Sequence, residues 1–122
     1  MVEDKNTHDE SLDFILQSLQ GKKREIARES LLKLAEYFGT HKEWDGKNEV
    51  KTVIYAIVVK TVTEIGNKYD HDMLIKFIDN KDCQQVMFGM KNMQDYQAFT
   101  VVTVNTLKGL IDGTLEFNDI KK

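Results

Sequence analysis

The chain has 122 residues, of which 41% are hydrophobic and 30% charged, and its formal net charge is −3. That is the size and composition of one soluble globular domain, and the slight acidic balance argues against a protein built to neutralise nucleic-acid phosphates. A single cysteine, Cys83, excludes an internal disulfide, and the longest apolar run, 53–59, is far short of the ~20 residues that span a bilayer.

There is no proline, where average usage near 5% would supply about six. Proline removes a backbone donor and breaks helix interiors, so a chain without it can run helix after helix. Residues 1–8 are polar and acidic and form an expected disordered tail. They carry neither a basic nor an apolar leader segment, so a cytoplasmic location is expected. The first helix should begin near Asp9 or Ser11, because Leu12, Ile15, Leu16 and Leu19 share one helical face. Gly21 either ends it or leaves only a kink before the second helix, from about Lys22 to Phe38. That helix buries Ala27, Leu31, Leu34 and Phe38, pairs Glu29 with Lys33 on its surface, and should stop at Gly39.

Residues 39–48 read as a loop with an Asp45-Gly46 turn. It holds the only tryptophan, Trp44, which suits either a lid over the core or an anchor for a partner. The next segment, 48–65, is rich in β-branched residues, which suits a buried strand. Its apolar pattern persists for about 16 residues, and that length favours a helix, with Gly66-Asn67 as its stop. A fourth helix over 70–79 has Asp70 and Asp72 in its first turn, where the helix dipole favours negative charge. A fifth should start with Asp82 as N-cap and Gln85 closing a capping box. Its core face would be Cys83, Val86, Met87 and Met90, with Gly89 inside it. The sixth, 95–112, presents Tyr96, Phe99, Leu107, Leu110 and Ile111 to the core and ends at Gly113.

Several motifs fail on their own chemistry. Residues 112–120 resemble the second half of an EF-hand calcium loop. However, Lys108 and Leu110 stand where the first acidic ligands belong, and Asp119 stands in place of the bidentate glutamate. Residues 62–81 have the outline of a helix-turn-helix, but His71, Lys76 and Asp79 fall on its apolar slots, and aspartates would face the phosphates. His8, His41, His71 and Cys83 lack metal-ligand spacing. Cys83 sits on an apolar face, where it acts as a small hydrophobe. No phosphate loop and no nucleophile–base arrangement is visible. The expectation is a protein that is not an enzyme and needs no cofactor or metal.

The expected architecture is all-α: about six helices in a compact bundle or a HEAT-like stack, forming one domain over 9–113 with a C-terminal tail at 114–122. The alternative is α+β, with strands near 52–59 and 99–106. The expected function is that of a small interaction or assembly subunit, with another protein or a second copy as partner and no membrane. Trp44, Phe88, Met93 and Phe117 are its candidate contact residues. The other reading is an anion or nucleic-acid binder using Lys22, Lys23, Arg24 and Arg28, since cations at a helix start oppose the dipole and could hold an anion.

Overall fold

The computed structural model describes residues 14–115 and contains five helices among them: α1 (Gly21–Thr40), α2 (Asn48–Ile65), α3 (His71–Asp79), α4 (Lys81–Phe88) and α5 (Met93–Asp112). Single 3₁₀ turns at Lys42–Trp44 and Gly66–Lys68 join the first three. No strand occurs among the described residues, and both segments weighed as strands lie within α2 and α5. The fold is all-α and bundle-like.

Periodicity outweighs β-propensity in α2. Val50, Ile54, Ile57, Val58, Thr61 and Val62 are all buried on one stripe, whereas a strand's period of two would send half of such a set to the opposite face. Lys23 of α1 meets the Thr63 carbonyl near the end of α2, and Phe38 near the end of α1 meets Tyr55, so these two helices are antiparallel. By contrast, α5 runs parallel to α2. The Tyr96 hydroxyl donates to Glu49 Oε1 (3.1 Å) at their starts, and Lys108 Nζ pairs with Glu64 Oε1 (2.6 Å) at their ends. The short α3–α4 pair carries the chain back between them. The core is one cluster to which Leu16, Leu31, Leu34, Ile57, Leu74, Met87 and Leu107 contribute.

Helix ends depart from expectation in instructive ways. The start of the expected first helix, up to residue 13, lies outside the described residues. Its last part, 14–18, turns into an extended Gln20, and Gly21 has φ +60°, so the break from α1 is real and not a kink. Gly39 does not stop α1, which runs on to Thr40. The Thr40 hydroxyl (3.0 Å) and His41 Nδ1 (2.7 Å) both donate to the Tyr37 carbonyl, so polar side chains do the capping that a left-handed glycine would otherwise serve. The N-cap of α4 is Asn80, accepting from Cys83 N at 3.1 Å, and not Asp82. Gly89 closes α4 and does not interrupt it. The N-cap of α5 is Asn92, accepting from the Asp95 amide at 2.9 Å.

The end of α5 is a Schellman motif. Gly113 has φ +84°, Thr114 N donates to Gly109 O at 2.9 Å, and Gly113 N donates to Leu110 O at 3.3 Å. The chain thereby reverses and lays Leu115 onto Gly109. A Cβ at Gly109 would stand 2.6 Å from Leu115 Cδ1, so only glycine leaves room for that contact.

Candidate functional site

Two surfaces stand out from the rest of the bundle. The first is an apolar groove between α4 and α5, about 400 Å³, whose walls are Val86, Gly89 and Met90 on one side and Asp95, Ala98, Phe99 and Val102 on the other. Val86 was expected in the core and is instead 61% exposed, as is Val102, and the neighbouring Val101 is 57% exposed. The cause is the brevity of α4. Eight residues make barely two turns, and Met87 alone of its side chains is fully buried, while Val86 next to it points outward. From 96 to 107 the chain of α5 carries no charged residue.

The expected contact residues do not assemble into one patch. Trp44 is fully buried, so its reading as a partner anchor is corrected. It packs against Phe38 (ring centroids 4.9 Å), Phe88 (5.0 Å, edge-on) and Tyr37 (6.3 Å). Phe88 is half-buried, held between Trp44 and the ammonium of Lys47, which lies 4.9 Å from its ring centre. Met93, the first residue of α5, is 68% exposed but projects from a different flank of the helix than Ala98 and Val102. Phe117 lies outside the described residues.

The basic cluster is also dispersed. Lys23 Nζ donates to the Thr63 carbonyl at 3.0 Å. A cation that opposes the dipole at the start of α1 is thus used at the end of α2, where the dipole favours it. Lys22 is exposed, Arg24 and Arg28 are half-buried, and neither arginine lacks a partner.

The second surface was not anticipated. Ser30, on the buried stripe of α1 one turn beyond Ala27, is only 2% exposed. Its Oγ lies 2.7 Å from Tyr69 Oη and 2.7 Å from His71 Nδ1. These three groups floor a polar cleft of about 390 Å³ whose rim holds Glu29, Lys33, Lys68, Asp70 and Asp72. Asp70 Oδ1 is occupied in capping α3, accepting from the amides of Asp72 (3.0 Å) and Met73 (3.4 Å). Burial lowers the pKa of His71 below the ordinary imidazole range, with Lys33 adding to the effect and Asp72, Asp70 and Glu29 opposing it. Burial likewise raises the Tyr69 phenol. The signal that could have found this cluster was a serine at a core position of a helix, since a buried hydroxyl requires a partner.

The cluster is not a hydrolase dyad. Ser30 lies inside a helix, has almost no exposed surface, and meets the histidine through Nδ1. Cys83 is no nucleophile either, because burial pushes its thiol up to about 12. Among the described residues no group of three His, Cys, Asp or Glu side chains could hold a metal ion, and no helix is long and apolar enough to cross a membrane.

No family model, curated protein or solved structure matches the chain.

Proposed function

We propose that the protein is a non-catalytic assembly subunit that pairs with a second copy of itself through the α4–α5 face. The observation that carries this reading is the groove with its exposed valines: Val86 and Val102, each 61% exposed, line its two sides. Exposed apolar side chains gathered around a concave surface mark contact sites. A second copy is the occupant favoured by charge. A two-fold interface sets each patch against itself, so charges on it would meet like charges; the 96–107 stretch of α5 carries none, and Asp95 is the one charged residue of the groove lining. A reducing cytoplasm suits a subunit with one thiol.

The test is sedimentation velocity over a wide concentration range on the full chain and on Val102→Glu. Val102 is too exposed for this change to unfold the bundle, and circular dichroism will verify that. A concentration-dependent dimer that is lost in V102E supports the reading. A wild-type chain that stays monomeric throughout, or a V102E chain that associates equally well, overturns it.

A further inference from the structure

We infer that the polar cleft between α1 and the start of α3 binds a small zwitterion, of the size and charge pattern of a free amino acid with an uncharged polar side chain. The cleft shares no residue with the α4–α5 groove. The inference therefore goes beyond the self-assembly reading and stands or falls without it.

The charges of the rim come first. Glu29 and Lys33, one turn apart on α1, have the spacing of a surface ion pair. That pair is not formed, and no ion pair joins any two of Glu29, Lys33, Lys68 and Asp72. All four are exposed and border the same cleft. Asp70, also on the rim, has Oδ1 committed to the amides of Asp72 and Met73. A plain anion drawn to Lys33 and Lys68 would also meet the carboxylates, and a plain cation would meet the lysines. A ligand carrying both signs finds an opposite charge for each of its own.

The floor adds direction. Ser30 is held 2.7 Å from both Tyr69 Oη and His71 Nδ1. With Tyr69 donating to Ser30 and Ser30 donating to Nδ1, the lone pairs of Tyr69 Oη and the proton on His71 Nε2 have no partner among the described residues. An acceptor and a donor side by side match an amide or a hydroxyl, each of which both donates and accepts. The ring adds no charge of its own at neutral pH, since burial lowers its pKa. Ser30 is anchored within α1 and His71 is the first residue of α3, so both stand on regular elements rather than on loops.

Size and lining narrow the class further. A volume of about 390 Å³ is at the small end of ligand pockets. It suits one small metabolite and is too small for a dinucleotide. Ile26 is the only aliphatic side chain of the lining, so an apolar ligand side chain has little to pack against.

The experiment is a titration of the full chain followed by nuclear magnetic resonance, with L-glutamine as the probe. Three comparison compounds are the glutamine analogue without the α-ammonium, the analogue without the α-carboxylate, and L-leucine. Saturable shifts of the Ser30, His71 and Asp72 signals are expected with glutamine, at an affinity about tenfold or more above that for each comparison compound. Lys33→Glu and Lys68→Glu, both at exposed positions, should each weaken glutamine about tenfold while circular dichroism shows the bundle retained. No saturable shift with glutamine, asparagine or serine at tens of millimolar overturns the inference. So does equal binding of either analogue, which would make the cleft a simple anion or cation site, or equal binding of leucine. Glutamine binding that survives both charge reversals also overturns it, because the ligand would then sit elsewhere.

Discussion

Ser30 Oγ lies 2.7 Å from His71 Nδ1 and the same distance from the Tyr69 hydroxyl, and among the described residues Tyr69 Oη has no other hydrogen-bond partner. One arrangement of protons that satisfies all three groups has Tyr69 donating to Ser30, Ser30 donating to Nδ1, and the neutral ring keeping its proton on Nε2. A second proton on Nδ1 would leave one of the two hydroxyls without an acceptor in a site where an unmade hydrogen bond is costly. Burial of the ring, with Lys33 adding to it, lowers the pKa of His71 in the same direction.

Stability should therefore depend on pH through this residue. The unfolded chain binds a proton at His71 near pH 6.5, whereas the folded chain resists it to lower pH. Between those two values the unfolded state holds more protons, so folding stability falls as pH drops below about 6.5 and levels off below the folded pKa. Denaturant melts between pH 7.5 and 5 will show the decline, and His71→Gln will show a shallower one. Equal slopes in the two proteins would mean that other groups carry the acid sensitivity.

Lys22 and Lys23 are neighbours in sequence but differ in structure. Lys23 meets the last turn of α2 through the Thr63 carbonyl, and Lys22 is exposed. A cation at a helix C-terminus is worth about 0.3–1 kcal/mol. Lys23→Ala should cost about that much in a chemical melt, and Lys22→Ala should cost almost nothing. Titration with a labelled oligonucleotide should show no binding that Lys22→Glu removes. Binding that does depend on Lys22 would return the basic cluster to consideration as an anion site.

The pattern of what could be read from sequence follows the physics of each signal. The bounds of α2, 48–65, are legible to the residue because its apolar stripe is continuous and is followed by Gly66, whose φ is +60°. The stop of α1 is not, because Gly39 offers a backbone option that His41 and Thr40 override with side-chain bonds. Sequence periodicity marks Val86 as core but cannot see that a two-turn helix has too little length to bury it. Trp44 admitted two readings, and only tertiary packing against Phe38 and Phe88 separates lid from anchor. The Ser30–Tyr69–His71 relay joins residues about forty positions apart, a distance at which periodicity carries no information.

Cys83 gives a chemical check on the packing of α4 against the core. Its thiol is pushed up to about 12 by burial. At pH 8 its thiolate is then about one part in ten thousand, against roughly a quarter for an ordinary cysteine. Reaction with an aromatic disulfide should be slower than for the unfolded chain by about a thousandfold, and denaturant should restore the normal rate. A fast native reaction would show that α4 opens readily.

Two buried threonines, Thr61 of α2 and Thr103 of α5, should lower stability. Thr52, Thr63, Thr100 and Thr106 each donate to the carbonyl four residues back, at 2.7–3.0 Å. Thr61 and Thr103 are buried and make no such bond, nor any other among the described residues. A buried hydroxyl without a partner costs about 1–3 kcal/mol relative to a group that does not need one. Valine has nearly the same shape and the same branching at Cβ, so it keeps the rotamer restriction and the volume while removing the unmet hydroxyl. Thr61→Val and Thr103→Val are each expected to stabilise the protein by about 1 kcal/mol, raising the melting temperature by roughly 3–6 °C in a domain of this size. A loss of stability in either variant would mean that a buried water bridges the hydroxyl to the helix backbone.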